Sequence, residues 1–209
     1  MGYLKRIALI PVKNFRTAKS RLAGVLSLGE RQTLANWMFW RVLGQIRRSG
    51  LFSEAVVLSK GSLLQDSKEG FPVRVVEQDP KLGLEEALNA YFLDSPWAGF
   101  EHFLLPADLP LLSQRDFWGL MLCLKKEGAE GLLVPSMDGR GTNGVYLKNP
   151  SGQRLAFGTD NSLSVNRARL ERSGVYPGTY YSLGFALDVD TEEDLLWALH
   201  NGLPFRGLV

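Results

Sequence analysis

The chain has 209 residues, of which 45% are hydrophobic and 22% are charged, a composition typical of a globular protein with a full hydrophobic core. Its formal net charge of +2 is too small to indicate a nucleic-acid or membrane-surface partner. Cys123 is the single cysteine, which excludes an intramolecular disulfide and a thiolate metal cluster. No apolar run approaches the ~18 residues needed to cross a bilayer, and residues 7–12 are too short for a secretion signal, so we expect a cytoplasmic protein.

Predicted strands and helices alternate along the chain. Apolar and β-branched runs predict strands at residues 6–12, 55–59, 73–77, 103–105, 132–135, 145–147 and 185–190. Helical spacing and cap signals predict helices at residues 27–48, 83–92, 113–126, 162–173 and 195–200. There are no repeats or low-complexity linkers, so this alternation predicts one domain over residues 1–209, with a doubly wound α/β sheet that is mixed and mostly parallel.

The first candidate site residue follows the predicted strand at 103–105. Proline is poorly tolerated inside a sheet, so the strand should end near Pro106 and leave Asp108 just beyond its carboxyl end. Ligands of open α/β sheets bind at that edge. An unpaired carboxylate is costly to bury among apolar residues, so Asp108 predicts a bound cation, for which Mg²⁺ is the natural candidate. The alternative is an ordinary turn or helix-capping aspartate.

A basic segment follows the first predicted strand. Four cations lie within nine residues, at Lys13, Arg16, Lys19 and Arg21. They predict a triphosphate clamp, in which Arg binds bidentately and Lys acts as a point charge. Neither a P-loop nor a GxGxxG motif is present, so side chains rather than backbone amides would make the contacts. A solvated basic loop is the alternative.

Two more carboxylates, Asp188 and Asp190, end the last predicted strand. Residues two apart in a strand point to the same side, so this pair can reach one ion. Together with Asp108 and the basic segment, the pair indicates a metal–nucleotide site. A glycine-rich loop at 136–144 would allow close approach to a ligand, although Asn143-Gly144 alone also predicts a hairpin turn.

Several enzyme classes lack support in the sequence. His102 and His200 stand in no metal-ligand spacing. No GxSxG, catalytic Cys/His or Walker motif occurs. Acyl transfer, zinc chemistry and P-loop hydrolysis are therefore excluded from the expected functions.

Four stretches, taken together and in order, carry a family resemblance. They are IPVK with AKSRL within residues 10–22, LPADLP at 105–110, GTN at 141–143 and LDVDTEEDL at 187–195. In these motifs the chain resembles the CofC/FbiD family, the 2-phospho-L-lactate or phosphoenolpyruvate guanylyltransferases of coenzyme F-420 biosynthesis. The resemblance implies a nucleotidyltransferase fold similar to that of molybdenum-cofactor guanylyltransferases and GT-A glycosyltransferases. It also implies Mg²⁺ as cofactor, with GTP and a small phospho-acid as substrates.

The same resemblance implies roles for individual residues. Asp108 and Asp190 would bind the metal, with Asp188 assisting. The expected substrate contacts are Lys13, Lys19 and Arg21 on the triphosphate, Thr142, Ser162 and the backbone near Gly158 on the acceptor, and Gly83 and Glu86 on guanine and ribose. The acceptor phosphate would attack the α-phosphorus of GTP and release pyrophosphate. Such diester products are often labile, which would favour hand-off to the next enzyme of the pathway.

The chain departs from the family pattern in two places. Glu85 replaces the Asn of the usual Gly-Leu-Asn-Glu, so an amide that donates and accepts becomes a carboxylate that only accepts. After Gly158 the usual Pro-Gly-Ser-Phe is replaced by TDNSL at 159–163, and Asn166 stands where the family has a histidine. The second departure lies in the loop expected to contact the acceptor. Phosphoenolpyruvate, 2-phospho-L-lactate and 3-phospho-D-glycerate all stay open as acceptors.

Three other functions are alternatives. A molybdenum-cofactor guanylyltransferase usually carries a glycine-rich loop after the first strand, and this chain lacks one. A glycosyltransferase that uses the Asp188 and Asp190 pair as its metal motif is supported by fold analogy alone. A non-catalytic nucleotide-binding protein is disfavoured, because such a protein has no reason to keep costly carboxylates together.

Overall fold

The computed structural model describes residues 5–12, 15, 19–59, 71–79, 81–94, 99–159 and 161–203. Its strands are β1 (Arg6–Val12), β2 (Glu54–Ser59), β3 (Val73–Glu77), β4 (Glu101–Leu104), β5 (Gly131–Pro135), β6 (Thr142–Leu147) and β7 (Gly178–Thr179). Its helices are α1 (Leu28–Ser49), α2 (Leu84–Asp94), α3 (Gln114–Glu127), α4 (Ser162–Arg172), α5 (Leu183–Ala186) and α6 (Glu192–His200). Within these residues, no helix has both the length and the apolar character that a bilayer span requires.

The strands form one seven-stranded sheet in the order β3-β2-β1-β4-β6-β5-β7. Neighbouring strands are parallel except where β6 is involved, which runs antiparallel to β4 and β5. The predicted mixed and mostly parallel α/β sheet is therefore confirmed. Because β6 runs in the reverse direction, its first residue, Thr142, lies at the edge of the sheet where β4 and β5 end.

Helix ends follow from local sequence signals. Ser27 and Glu30 form the predicted capping box of α1, in which Glu30 Oε2 accepts a 2.7 Å hydrogen bond from the Ser27 amide. Gly50 ends this helix in the left-handed conformation, with φ of 67°. Thr191 and Asp194 form an equivalent capping box on α6. Such caps pair backbone amides that have no partner within the helix, and for this reason the predicted helix starts agree closely with the structure.

Alternate residues of β1 face opposite layers of the core. Ala8 and Ile10 pack with residues of α1 and α3, whereas Ile7 and Leu9 pack with residues of α2 and α4. All four side chains are fully buried. Burial of a large aliphatic side chain contributes about 1.5–3 kcal/mol. Helices on both faces thus hold the central strand, as a doubly wound sheet requires.

A third apolar cluster joins two segments that carry charged site residues. Leu22, which follows the basic segment, packs in one cluster with Leu187 and Val189. These two residues alternate with Asp188 and Asp190 in an extended stretch of chain. Burial of the apolar pair therefore turns both carboxylates to the other side.

The expected strand at 185–190 is wrong. Residues Leu183–Ala186 form α5 instead, and residues 187–190 do not join the sheet, although Leu187 has extended backbone angles. Phe185 gives the physical reason, because its ring lies 5.4 Å from the ring of Phe103 and 5.3 Å from that of Phe117, between centroids. This aromatic packing draws the chain out of strand conformation and into the core.

Candidate active site

A cavity of about 800 Å³ opens at the carboxyl ends of β1 and β4. Its lining includes most of the predicted site residues, namely Lys19, Arg21, Asp108, Thr142, Gly158, Ser162, Asp188 and Asp190. These residues come from widely separated parts of the sequence. They meet because strands of an open α/β sheet deliver their following loops to a common crevice.

Lys19 joins two of the three aspartates. Its Nζ lies 2.5 Å from Asp108 Oδ2 and 2.8 Å from Asp190 Oδ1, and its side chain is only 7% exposed. Burial by itself would lower the pKa of Lys19, but the Asp108 and Asp190 carboxylates outweigh burial and hold that pKa above its ordinary value. Lys19 is therefore a constant cation in this cavity. We refer to Lys19, Asp108, Asp188 and Asp190 as the charged cluster.

The backbone of Lys19 is strained. Its φ of 56° and ψ of 39° lie in the left-handed region, and within the described ranges no other residue besides glycine has a positive φ. This conformation costs an L-residue roughly 1–2 kcal/mol. The two ion pairs offset that cost, and a 3.0 Å hydrogen bond from the amide of buried Leu22 to the Lys19 carbonyl anchors the turn. Strain of this kind is concentrated at functional sites.

Asp108 is held beyond β4 by the loop that contains it. Leu109 and Leu112 are fully buried on its carboxyl side. The Asp108 carbonyl accepts a 3.3 Å hydrogen bond from the Val189 amide, which ties this loop to the segment that carries the other two aspartates. The Asp108 carboxylate oxygen Oδ1 is buried and has no hydrogen-bond partner among the described residues.

Asp190 is positioned by the start of α6. The Asp194 carboxylate oxygen Oδ2 accepts hydrogen bonds from the backbone amides of Asp190, at 3.1 Å, and Thr191, at 2.8 Å. The Thr191 hydroxyl accepts a bond from the Asp194 amide at 3.3 Å. The capping box that starts α6 thus also orients the backbone at Asp190.

Asn143 supports the site in a way that the sequence reasoning missed. It lies buried inside β6, so the alternative of a hairpin turn at Asn143-Gly144 is wrong. Its Nδ2 donates to Asp188 Oδ1 at 2.9 Å and to the carbonyls of Phe185 and Ala186 at 3.1 and 2.9 Å. The amide therefore fixes both the Asp188 side chain and the end of α5. Its partner lies 45 residues away, and spacing along the chain carries no signal for such a contact.

The titration of Asp188 is perturbed by its surroundings. Burial raises its pKa to about 6, and the charge of Asp108 adds to the increase. The hydrogen bond from Asn143 acts in the opposite direction, and Asp190 adds a smaller increase. This carboxyl is consequently close to its titration point near neutral pH, and a nearby cation would favour its charged form.

The donor set fits a hard divalent cation such as Mg²⁺. Asp108, Asp188 and Asp190 are among the five aspartates that line the cavity, and Asp108 Oδ1 is a buried oxygen without a partner in the described part of the chain. Across those same residues, no group of three or more His, Cys, Asp and Glu side chains is arranged to hold a metal by itself. Mg²⁺ usually takes only one or two carboxylates and completes its shell with water and substrate phosphates, so a partial set of protein ligands suits it.

Thr142, Gly158 and Ser162, which carry no charge, also line the cavity. The side chains of Thr142 and Ser162 are buried, and Gly158 has φ of 75°, a conformation that favours glycine. Hydroxyl groups at these positions can donate hydrogen bonds to a carboxylate or a phosphate.

Three predicted contacts are not placed in the cavity. Gly83 and Glu86 are not among the residues that line it, although Leu84 is. Lys13 lies outside the described residues. The guanine, ribose and triphosphate roles of these residues stay predictions.

Glu85, which replaces a family asparagine, has a partner on another helix. Its carboxylate Oε1 lies 2.8 Å from Nη1 of Arg169, so the pair links α2 to α4. Both side chains are about one-third exposed, and such pairs contribute at most about 1 kcal/mol. Glu85 does not line the cavity. This departure from the family pattern therefore adds a contact between α2 and α4 and changes no residue of the cavity lining.

We predict that Asp188 makes the stability of the metal-free protein depend on pH. Its pKa is about 6 in the fold and about 4 in the unfolded chain. The protonated Asp188 carboxyl therefore contributes its full stability to the fold below about pH 4, and this contribution is lost as the pH rises through about 6. Relative to the native chain, we therefore expect the unfolding free energy of Asp188→Asn to be similar below about pH 4 and higher by about 1–3 kcal/mol above about pH 6. Urea unfolding in a chelator would measure this, and a constant difference between the two proteins would contradict it.

The sheet order and the charged cavity at its edge define a protein of the nucleotide-diphospho-sugar transferase fold. A solved structure described as a nucleotide-diphospho-sugar transferase from Desulfovibrio desulfuricans G20 matches with a TM-score of 0.70 and 15% identity, over 94% of this chain and 87% of that one. At this identity the similarity establishes the fold alone.

The chain belongs to the family described as "Guanylyl transferase CofC like", which matches residues 6–203. It is 31% identical to the phosphoenolpyruvate guanylyltransferase of Conexibacter woesei, over 92% of this chain and 86% of that one. It is 29% identical to the 2-phospho-L-lactate guanylyltransferase of Methanothermobacter thermautotrophicus, over 92% and 83%. It is 30% identical to the 3-phospho-D-glycerate guanylyltransferase of Colwellia psychrerythraea, over 90% and 88%. The family resemblance is confirmed, and the protein is a nucleotidyltransferase.

Proposed function

We propose that this protein transfers GMP from GTP to the phosphate of a three-carbon phospho-acid and releases pyrophosphate, as a cytoplasmic enzyme of coenzyme F-420 biosynthesis. The acceptor is phosphoenolpyruvate, 2-phospho-L-lactate or 3-phospho-D-glycerate, the acids named for the relatives. The observation that carries the proposal is a single cavity in which the charged cluster adjoins the hydroxyls of Thr142 and Ser162.

The reaction needs no general base. A phosphate oxygen of the acceptor forms a bond to the α-phosphorus of GTP, and the bond from that phosphorus to its β-bridging oxygen breaks as pyrophosphate leaves. The acceptor phosphate has a second pKa of ~6 and is already ionised at neutral pH. Neither histidine lines the cavity. His102 is buried, with its Nε2 3.0 Å from the Tyr91 hydroxyl oxygen, and burial lowers the pKa of His102 to about 4. This supports a mechanism based on alignment and charge.

Positive side chains and the three aspartates supply that charge control. Lys19 and Arg21 line the cavity and would contact the triphosphate, as would Lys13 by the family resemblance. The aspartates of the charged cluster would hold Mg²⁺. When bound, Mg²⁺ would neutralise negative charge on the phosphate oxygens during transfer.

The acceptor is proposed to bind where Thr142, Gly158 and Ser162 line the cavity. Thr142 and Ser162 would donate hydrogen bonds to its carboxylate and phosphate, and the backbone at Gly158 would allow its close approach. On the nucleotide side, Gly83 and Glu86 are the proposed contacts to guanine and ribose. The proposal thus assigns different residues to the two substrates.

The proposal is tested by pyrophosphate release with Mg-GTP and each of the three acids in turn, with mass detection of the guanylylated product. We expect turnover with at least one acid and none without an acid. ATP and CTP in place of GTP test the choice of nucleotide. If no acid supports turnover while GTP still raises the melting temperature, the protein is a nucleotide binder and the proposed transfer is wrong.

A further inference from the structure

Asn166 is a fully buried polar residue on α4, outside the set of residues that line the cavity. It lies four residues after Ser162, so the two side chains share one face of the helix. Asparagine is disfavoured inside helices, because its side-chain amide forms hydrogen bonds with nearby backbone groups in non-helical conformations. A buried amide is tolerated there only when its hydrogen bonds are made. The hydrogen-bond partners of the Asn166 side chain therefore indicate its role.

The Asn166 amide contacts two different parts of the cavity wall. Its Oδ1 accepts a 2.6 Å hydrogen bond from the Ala156 amide, and its Nδ2 donates to the Ala156 carbonyl at 3.0 Å. Nδ2 also donates to Thr142 Oγ1 at 3.1 Å. One side chain thus connects the start of β6 with the residue that precedes the cavity-lining Phe157 and Gly158.

These contacts determine the direction of the Thr142 hydroxyl proton. The Ala156 amide can only donate and the Ala156 carbonyl can only accept, so Oδ1 and Nδ2 of Asn166 cannot be exchanged. Thr142 Oγ1 must then act as acceptor toward Asn166, and its own hydrogen is left for another partner. Among the described residues the Thr142 hydroxyl donates no hydrogen bond, and Thr142 lines the cavity.

We propose that Asn166 is a positioning residue that turns the Thr142 hydroxyl proton into the cavity, where it is donated to an anionic oxygen of the phospho-acid. The inference rests on the proposed function and adds a specificity determinant to it. The amide acts through Thr142 and does not touch the substrate. It also sets the backbone at Ala156, which fixes the entry to the loop at 157–159.

Asn166→Asp tests the direction of the proton with almost no change of shape. Burial favours the protonated form of the new carboxyl, whose single proton is donated to the Ala156 carbonyl. The oxygen that replaces Nδ2 then has no hydrogen for Thr142, so the Thr142 hydroxyl donates to it and no longer points into the cavity. We expect the Kd of the phospho-acid to rise roughly 10- to 100-fold, the range for a hydrogen bond to a charged group. The KM for GTP should stay within about twofold, because the change is confined to the acceptor contact. Calorimetry with phosphoenolpyruvate, 2-phospho-L-lactate and 3-phospho-D-glycerate provides the binding readout without turnover.

A double-mutant cycle separates this role from a merely structural one. In a Thr142→Val background the hydroxyl is already absent, so Asn166→Asp should weaken acid binding far less than it does in the native chain. Equal losses in both backgrounds would overturn the inference. Should the Asn166→Asp variant fail to fold, Thr142→Val and Thr142→Ser decide the matter with Asn166 intact. Val must weaken acid binding and Ser must restore it, and undiminished binding with Val would overturn the inference.

The native chain is measured first in both assays. If it binds and guanylylates one acid, the variants test Asn166 alone, and unaltered acid binding in Asn166→Asp overturns only the inference. If the native chain neither binds nor guanylylates any of the three acids, the proposed function fails and the inference fails with it.

Discussion

Replacing Asp108 by Asn is expected to abolish guanylyl transfer while leaving the fold intact. The substitution keeps the shape of the side chain but removes the charge that pairs with Lys19 and that the proposed Mg²⁺ would require. Loss of one preorganised electrostatic contact typically lowers kcat by roughly 10²- to 10³-fold. Because Asp108 Oδ1 is buried without a hydrogen-bond partner in the described residues, the new amide gains nothing from the surrounding protein. Pyrophosphate release under saturating GTP and acceptor measures the effect.

Interpreting the Asp108→Asn result requires a control variant that loses the same charge elsewhere, and a second measurement besides turnover. Glu193→Gln removes an exposed carboxylate from the first turn of α6, close in sequence to Asp190, and should leave turnover unchanged. Mn²⁺ serves as a paramagnetic substitute for Mg²⁺, and its binding in the presence of GTP should weaken in Asp108→Asn but not in Glu193→Gln. Thermal unfolding should show a loss of about 1–3 kcal/mol, since Lys19 keeps its second partner. Near-native turnover in Asp108→Asn would remove Asp108 from the metal site.

The elements that the sequence predicted well are those whose signals are local. Ser27 with Glu30 marks the start of α1 and Gly50 marks its end, because caps involve residues within one turn of the helix. The apolar run of β1 predicts a strand buried on both faces. The chain near Phe185 could not be predicted in this way, because aromatic packing against two distant residues overrides its alternating pattern.

Within the candidate site, the sequence could identify which residues meet but not what holds them. Asp108 and Lys19 are 89 residues apart, yet their meeting follows from the rule that loops after parallel strands share one edge. The contacts of Asn143 and Asn166 depend on the register of β6 and on the packing of α4 against it. The family motifs single out both positions, Asn143 within GTN and Asn166 in place of a histidine, but amides are common in turns and caps, so the sequence does not show that either side chain supports the cavity.

Lys19 has a second expected effect, on the binding of the metal itself. Its ammonium occupies Asp108 Oδ2 and Asp190 Oδ1, two of the oxygens proposed for Mg²⁺. A divalent ion must compete with this ammonium in the absence of nucleotide, whereas a bound triphosphate would offer the ammonium other partners. We therefore predict that GTP strengthens Mn²⁺ binding to the native chain.

Lys19→Met separates the two roles of the ammonium. Turnover should fall roughly 10²- to 10³-fold, because a cation that contacts the triphosphate is lost. Binding of Mn²⁺ without GTP should become tighter than in the native chain, because the competing charge is gone. Lys148→Met is the matched control, since Lys148 pairs with Glu130 on the exposed surface at 3.6 Å and such pairs contribute at most about 1 kcal/mol.

The direction of the change in Mn²⁺ affinity is what decides between mechanisms. If Lys19 only contacted the triphosphate, its removal would leave nucleotide-free Mn²⁺ binding unchanged. If Lys19 only held the two aspartates in place, its removal would let the carboxylates separate and Mn²⁺ binding would weaken. Tighter binding combined with lost turnover is expected only when the same ammonium neutralises Asp108 and Asp190 before the substrates bind and contacts phosphate afterwards. Paramagnetic titration of the native chain, Lys19→Met and Lys148→Met, each with and without GTP, distinguishes the three cases.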